Sequence, residues 1–206
     1  MKLITISREF GSGGRELGKR LADLLGWDYY DREIITRIAA ESGLDEAYVD
    51  QVLTRMPRQT ITIRRSFSSL PIQTTGADLL GKEKQVIERI AAGGRDCVLV
   101  GRNADVYLKQ YHPFSVFVCA SKEAKLLRCR QRAEPGERLT DRELMKKIRS
   151  IDNGRANIRE LVGGSPWGSS TSYQLTVNTS DWEIKDLVPA VAQYAGAWFE
   201  RNYPDL

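Results

Sequence analysis

A cluster of glycines near the start of the chain constrains the fold more than any other feature. Residues Lys2–Ser7 alternate in character and contain β-branched Ile and Thr, which predicts a strand. Residues Arg15–Leu25 carry apolar side chains at helical spacing and end before Gly26. Between the two lies Gly11-Ser12-Gly13-Gly14. Glycines allow the backbone to turn and bring its N–H groups against an anion at the positive end of a helix. This order of elements therefore predicts a phosphate-binding turn in an α/β protein.

The glycine loop matches the phosphate-binding pattern G-x-x-x-x-G-K-[ST] imperfectly. Aligned with it, Arg8 takes the place of the first glycine, Gly13 the second, Gly14 the lysine and Arg15 the hydroxyl residue. The lysine normally reaches the terminal phosphates and the hydroxyl normally holds Mg²⁺. Arg15 is a candidate to supply the positive charge of the absent lysine, and Ser12 is a candidate to bind phosphate or the metal. The alternative is a tight turn followed by a solvated arginine.

The rest of the chain continues to alternate between strand and helix patterns, which predicts a parallel sheet covered on both faces. Further strands are predicted at Trp27–Tyr30, Cys97–Val100, Ser115–Cys119 and Tyr173–Val177. Helices are predicted at Arg32–Ala40, Ala77–Ala92, Lys122–Arg132, a charged segment running to about Leu161, and Ile184–Arg201. Ligands of such sheets bind at the carboxyl ends of the strands. Three candidate segments fall there: Arg8–Arg15, Gly101-Arg102 and Asn178–Ser180.

Composition narrows the class of partner. The chain has 206 residues, enough for one sizeable core, and a net charge of +4, which suits a polyanionic ligand. Nucleotides and nucleic acids both fit that charge. We find no aromatic-studded strand, zinc pairing or helix-turn-helix signature, so no nucleic acid is expected. The three cysteines show no metal-binding spacing, no apolar run reaches membrane-spanning length, and the first strand begins without a signal-peptide pattern. These features predict a cytoplasmic protein with no membrane partner.

Several segments together resemble the cytidylate-kinase-like family, a branch of the P-loop nucleoside monophosphate kinases. They are Ile6–Glu16, Tyr29–Glu33, Val98–Asp105, Ile151-Asp152-x-x-Arg155 and Tyr173–Ser180, in the family's order along nearly the whole chain. The resemblance implies one P-loop NTPase domain over 1–206, α/β in class, with three α/β/α layers and a five-stranded parallel sheet. It further implies an adenylate-kinase-like arrangement, with a helical monophosphate-binding insertion at about 41–76 and a lid at about 133–172.

The resemblance also implies roles for individual residues, with ATP and Mg²⁺ as cofactors and a small nucleotide, CMP or dCMP, as acceptor. The donor phosphates would be cradled by Gly11, Ser12, Gly13, Gly14, Arg15 and Glu16. The catalytic cations would be Arg15, Arg102 and Arg155. The acceptor would be bound by Asp31, Arg32, Arg102, Asp105, Arg149, Asp152 and Arg155. No side chain is assigned to the metal, because this chain has Asn103 where related kinases carry an aspartate.

Simpler interpretations stand beside these roles. Asp31 and Arg32 are equally suited to capping the following helix, and Asp105 to a surface position at a helix start. Without the lid motif, Arg149, Arg155 and Arg159 would be one solvated helix face. The basic stretch containing Arg55, Arg58, Arg64 and Arg65, followed by Ser66, Ser68 and Ser69, is either part of the insertion or a solvated surface segment.

Three alternative functions remain open from the sequence. The missing lysine and hydroxyl allow a catalytically degenerate, nucleotide-binding regulatory protein. A kinase of another small metabolite and a nucleic-acid-binding protein are the others. The chain is expected to be a monomer or a homodimer.

Overall fold

The computed structural model describes residues 1–55, 76–133, 136 and 139–204 of the chain. Within these ranges the strands are β1 Leu3–Arg8, β2 Asp28–Tyr30, β3 Cys97–Val100, β4 Phe114–Cys119 and β5 Leu175–Asn178. The helices are α1 Gly14–Leu25, α2 Arg32–Ser42, α3 Glu46–Arg55, α4 Gly76–Ala92, α5 Ala104–Tyr107, α6 Lys122–Gln131, α7 Asp141–Leu161 and α8 Ile184–Asn202. The five predicted strands, and the helices predicted with both a first and a last residue, agree with these bounds to within two residues, whereas α3 and α5 were not predicted individually.

The five strands form one parallel sheet in the order β2-β3-β1-β4-β5. β1 is central, and its Ile6 lies opposite Val100 of β3 and Val116 of β4. All five carboxyl ends therefore meet at one edge of the sheet. The prediction of a five-stranded parallel α/β sheet with helices around it is confirmed, and Arg8, the last residue of β1, lies at the centre of that edge.

Both faces of the sheet are buried, which explains the unbroken apolar runs of the inner strands. Leu3 and Leu99 pack on one face against α2, α3 and α4, while Ile4, Val98 and Val100 pack on the other against α1 and α8. Alternate residues of each strand thus enter opposite cores. The result is the expected layering of helices, sheet and helices.

Helix α3 lies within the predicted helical insertion but was not predicted as an element of its own, because the insertion as a whole is polar and poorly periodic. Its Val49 is fully buried and its Leu53 nearly so, and both join the core formed with α2 and α4. The predicted insertion at about 41–76 thus begins with a helix that is part of the core. Its remainder, with Arg58, Arg64, Arg65, Ser66, Ser68 and Ser69, lies outside the described residues, as does the side chain of Arg55.

Helix α7 begins at a complete capping box, in which Thr140 caps the backbone of Glu143 and Glu143 bonds back to Thr140. From there it runs 21 residues, contacting α6 and α3. It forms most of the segment predicted as a lid. Among the described residues, we find no helix with the length and apolar character needed to cross a bilayer.

Candidate active site

The glycine loop joins β1 to α1 through backbone conformations that favour glycine. Gly11 and Gly13 have φ angles of 79° and 83°, in the left-handed region. A Cβ on Gly13 would lie 2.4 Å from Cδ1 of Ile184, so the loop also packs too closely for a side chain there. No side chain of the described residues caps α1, which begins at Gly14. The first turn of this helix therefore presents its positive end to the loop.

Ser12 faces the protein interior. Its side chain is fully buried, its hydroxyl donates to the carbonyl of Glu9 (2.9 Å), and its own carbonyl accepts from the hydroxyl of Thr179 (2.7 Å). These bonds fix the loop to the residue that follows β5. A role of Ser12 in phosphate or metal binding stays a prediction.

A cleft of about 260 Å³ opens beside the loop, between α6 and α7. Its described lining combines backbone of Gly11, Gly13 and Gly14 with cationic side chains. The cations are Arg8, Arg15, Arg128, Arg132, Lys147 and Arg155. Glu9 is the one carboxylate in that lining, and it pairs with Lys125 (2.7 Å). The cleft is therefore strongly positive, as a polyphosphate site requires.

A second cleft, of about 50 Å³, lies at the ends of β1 and β3. Its lining includes Gly101, Arg102, Thr54 and Trp167. Arg8 and Arg155 line both clefts. The boundary between the two spaces is thus formed by guanidinium groups.

The guanidinium groups at this boundary are poorly neutralised. Burial, followed by the proximity of Arg155, lowers the pKa of Arg8 to about 9. Burial likewise lowers the pKa of Arg155 to about 10, against the opposing effect of Asp152 and with a further lowering by Arg102 and Arg15. The positive charges of neighbouring arginines therefore oppose the charges of Arg8 and Arg155, whose guanidinium groups are largely removed from water. An anionic ligand would stabilise all of them.

Asp31 is the nearest counter-charge to this cluster. Its carboxylate is buried, forms an ion pair with Nε of Arg15 (2.5 Å) and accepts a hydrogen bond from Nη2 of Arg8 (3.4 Å). Asp31 occupies the position before α2, yet its side chain makes no capping bond to that helix. Its carboxylate pairs with Arg8 and Arg15 and not with the backbone of α2, so the capping interpretation is wrong for Asp31. Arg32, the first residue of α2, is exposed.

The Asp152-x-x-Arg155 motif of α7 is attached directly to the glycine loop. Oδ1 of Asp152 accepts from the backbone N–H of Phe10 (2.7 Å), and Nη1 of Arg155 donates to the carbonyl of Arg8 (2.8 Å). Burial raises the pKa of Asp152 to about 6. The structure therefore brings the predicted motif to the phosphate-binding loop, 142 residues away in sequence.

Arg102 follows β3 in an unusual conformation. Both Arg102 and Asn103 have positive φ angles, 58° and 51°, which hold the side chain at the sheet edge. Its Nη2 donates to Asp50 of α3 (2.5 Å), and its Nε is buried without a hydrogen-bond partner among the described residues. A buried N–H without an acceptor is costly, so this guanidinium retains capacity for another anion.

Comparison with known proteins agrees with this geometry. The model of the cytidylate kinase-like family matches residues 3–181. The chain belongs to that family.

Solved structures show the same fold. An uncharacterised protein from Eubacterium ventriosum matches with a TM-score of 0.69 at 21% identity, covering 96% of this chain and 99% of that one. Shikimate kinase from Bacteroides thetaiotaomicron matches with a TM-score of 0.57 at 16% identity, covering 95% of this chain and 98% of that one. Shikimate kinase from Acinetobacter baumannii, in complex with shikimate, matches with a TM-score of 0.54 at 16% identity, covering 96% of this chain and 94% of that one. A comparison with curated proteins finds no match. This cytidylate kinase-like chain therefore has a P-loop kinase fold, and family and fold together support a phosphotransferase.

Two predicted residues of this family member lie apart from the cluster. Asp105 forms a buried bidentate ion pair with Arg159, at 3.0 and 2.7 Å, so neither is the surface residue of the simpler interpretation. Arg149 is exposed on the outer side of α7, beside Lys146 and Asn153. The idea of one solvated face through Arg149, Arg155 and Arg159 is wrong, because Arg155 and Arg159 are both largely buried.

Glu16 stays at the mouth of the cleft, where its carboxylate pairs with Arg20 (2.9 Å) and with Arg132 (2.6 Å). Within the described ranges, no three His, Cys, Asp or Glu side chains gather as a metal-binding group. Mg²⁺ in kinase sites takes much of its coordination from substrate phosphates and water, so the positive cleft and its few carboxylates suit a metal that arrives with the nucleotide.

Sequence reasoning missed Arg8, Arg128 and Arg132 as lining residues. Arg128 lies on α6 and Arg132 follows its last residue, and their spacing of four residues offered a signal. Arg128 is anchored by the hydroxyl of Thr179 (3.0 Å) and the carbonyl of Trp182 (3.1 Å). Arg8 stood in the candidate segment Arg8–Arg15, but it was aligned with a glycine of the usual pattern and given no role of its own.

Proposed function

We propose that this chain transfers the γ-phosphoryl group of ATP to a nucleoside monophosphate, with CMP or dCMP as the acceptor. The observation that carries the proposal is the meeting of two clefts at Arg8 and Arg155, in a cluster of arginines with few counter-charges. A donor in the larger cleft and an acceptor in the smaller one would place their phosphates at that boundary.

The donor phosphates would lie against the backbone of Gly11–Gly14 and the start of α1, with Arg15 beside them and Glu16 at the mouth. In the transfer, the bond from the γ-phosphorus to the β–γ bridging oxygen breaks, and a bond to an acceptor phosphate oxygen forms, leaving ADP. Mg²⁺, when bound with ATP, would neutralise charge on the β- and γ-phosphates.

The acceptor would be gripped by Arg102 and Arg155, which lie at the smaller cleft. Asp31 and Asp152 would orient the arginines and the sugar or base, and Arg32 stands at the start of the adjacent helix. Arg149 would contact the acceptor only if α7 moved, and Asp105 is held by Arg159 away from the acceptor, so we assign Asp105 a structural role. Arginines suit this task because phosphoryl transfer is mainly a matter of positioning and of neutralising spreading negative charge.

An ATP-consumption screen tests the proposal with purified protein and CMP, dCMP, UMP, AMP and GMP in separate reactions. We expect ADP and a nucleoside diphosphate to form with CMP or dCMP, well above the rate without acceptor. If ATP is consumed with a different monophosphate, that monophosphate is the acceptor and the assignment to CMP or dCMP is wrong. If ATP is consumed with none of the five, the protein is not a kinase of these nucleoside monophosphates. The degenerate regulator, motivated by the vacant lysine and hydroxyl positions, predicts binding of ATP with no consumption.

A further inference from the structure

Arg8 occupies space that two glycines leave open. A Cβ on Gly14 would lie 2.6 Å from Cβ of Arg8 and 3.0 Å from its Cγ. A Cβ on Gly101 would lie 1.5 Å from Nη1 of the same arginine. A glycine at position 14 is therefore needed beside the rigid start of the Arg8 side chain, and Gly101 leaves room for its guanidinium end.

The requirement at Gly14 is reciprocal. The usual phosphate-loop pattern has glycine at the position of Arg8 and lysine at the position of Gly14. Since Cβ atoms at these two positions would collide, the pair has room for one long side chain only. In this chain that side chain comes from the strand end and not from the helix start.

We infer that Arg8 supplies the phosphate-binding cation that the loop lysine supplies elsewhere, so that the cation and the glycine have exchanged positions 8 and 14. The inference rests on the proposed binding of ATP, but not on the identity of the acceptor. It goes beyond the role given above to Arg15, whose side chain is 57% exposed and held by Asp31.

The surroundings of the Arg8 guanidinium favour this role over a structural one. Its carboxylate contact, with Asp31, is long at 3.4 Å, and Asp31 lies closer to Arg15 at 2.5 Å. The guanidinium borders both clefts, where a γ-phosphate would have to pass from donor to acceptor. Burial, and next the charge of Arg155, lower the pKa of Arg8 by more than Asp31 raises it, which agrees with this geometry.

Calorimetric titration with ATP tests the inference without depending on turnover. Arg8→Met keeps an unbranched apolar stem and removes the guanidinium group with its charge, so we expect ATP affinity to fall about tenfold to a hundredfold, as for loss of a charged hydrogen bond. Arg95→Met is the matched control, because Arg95 pairs with Asp28 beside β2 (2.7 Å) and is not among the described residues lining either cleft. Arg95→Met should bind ATP as the wild type does, and thermal unfolding should show both variants folded.

An exchange variant makes the test sharper. Arg8→Gly should bind ATP weakly, and Arg8→Gly with Gly14→Lys should regain at least tenfold of the lost affinity, because the lysine then enters the vacated space. Gly14→Lys alone should unfold at a lower temperature than the double variant, since its Cβ meets that of Arg8.

The outcomes separate this inference from the proposed function. Wild-type affinity in Arg8→Met, or no recovery in the folded exchange variant, would overturn the inference while leaving the kinase proposal standing. Loss of ATP affinity in Arg8→Met, in a protein that phosphorylates none of the five monophosphates, would support the inference and reject the proposed acceptor. A wild-type protein that binds no ATP would overturn both.

Discussion

Two arginines one turn apart on α7 have opposite surroundings. Arg159 is almost fully buried, forms a bidentate pair with Asp105, donates to the carbonyl of Ser165 (2.7 Å) and lies over the ring of Tyr173. Arg155 is more exposed and has Asp152 as its carboxylate contact, at 3.3 Å. That carboxylate also accepts from Phe10. Around Arg155 stand Arg8, Arg15 and Arg102, whose charges oppose its own.

The difference separates a structural cation from a ligand-binding one. A buried arginine in a close bidentate pair with a carboxylate, as Arg159 is, is satisfied by the protein, whereas the bonds of Arg155 are one carbonyl contact and a longer single carboxylate contact. A group of partly buried arginines with too few carboxylates lowers its free energy by binding an anion from solution. Both arginines are largely buried, and the supply of counter-charge distinguishes them more sharply than the difference in exposure does.

The largest effect is expected from Arg155→Ala. We expect kcat for phosphorylation of CMP to fall by about 10³-fold or more, because arginines that neutralise transferring phosphate contribute on that scale. The melting temperature should hold or rise, since removing one cation relieves the repulsion around Arg8.

Arg89→Ala serves as the control for that experiment, because Arg89 pairs with Glu41 on the exposed side of α4. Steady-state kinetics on both variants give the comparison. Normal turnover in Arg155→Ala would show that this arginine is as structural as Arg159.

Arg159→Met should affect stability and not chemistry. Removing the guanidinium leaves Asp105 buried and uncompensated, which costs about 3–5 kcal/mol in the free energy of unfolding. Urea denaturation measures the loss, and the double variant Arg159→Met with Asp105→Leu should regain most of it. Unchanged stability in Arg159→Met would remove the contrast on which the comparison rests.

Arg102→Ala should reduce catalysis less than Arg155→Ala does and destabilise the fold less than Arg159→Met does. Arg102 keeps one bond to the half-exposed Asp50 and has an unused buried Nε, so we expect the fold to survive. The specificity constant for the acceptor should drop roughly a hundredfold, through loss of a charged hydrogen bond to its phosphate. Initial rates at varied CMP measure it, and an unaltered specificity constant would assign Arg102 to structure.

The smallest effect concerns pH. The pKa of Asp152 is about 6 in the folded protein against an ordinary value of 3.8, so between these values the folded state holds more protons than the unfolded one. The free energy of unfolding should therefore fall as pH rises from about 4 to 6, by roughly 1–2 kcal/mol from this group.

Asp152→Asn keeps an acceptor for Phe10 and removes the ionisation, so its stability should depend less on pH over that range. Urea denaturation at pH 4.5 and 7.5 compares the two proteins. Equal pH dependence would mean that Arg155 already compensates Asp152, as Arg159 does for Asp105.

The sheet was predictable because its information is local. Cys97–Val100 and Val116–Cys119 are apolar without interruption, as is typical of strands buried on both faces. Helix α3 was less so, because Val49 and Leu53 alone give it a buried side. Asp50 of this helix accepts a hydrogen bond from Arg102, which is 52 residues away in the sequence. A contact between residues so far apart leaves no trace in the local hydrophobic pattern.

The candidate site was predicted in its motifs and not in its pairings. The glycine loop, Arg102 and the Asp152–Arg155 pair were all indicated by sequence, and the fold brings them together at one sheet edge. The partnership of Asp105 with Arg159 and the route of Arg8 past Gly14 and Gly101 depend on three-dimensional packing. Aligning Arg8 with a glycine concealed that it brings a charge to the loop.

A crystal structure with a non-hydrolysable ATP analogue tests the central claim most directly. The account predicts the triphosphate against the backbone of Gly11–Gly14, with the guanidinium groups of Arg8 and Arg155 within hydrogen-bond distance of the γ-phosphate. A nucleotide bound elsewhere would contradict it. So would a triphosphate on the loop that leaves both arginines with their present partners, Asp31 and Asp152.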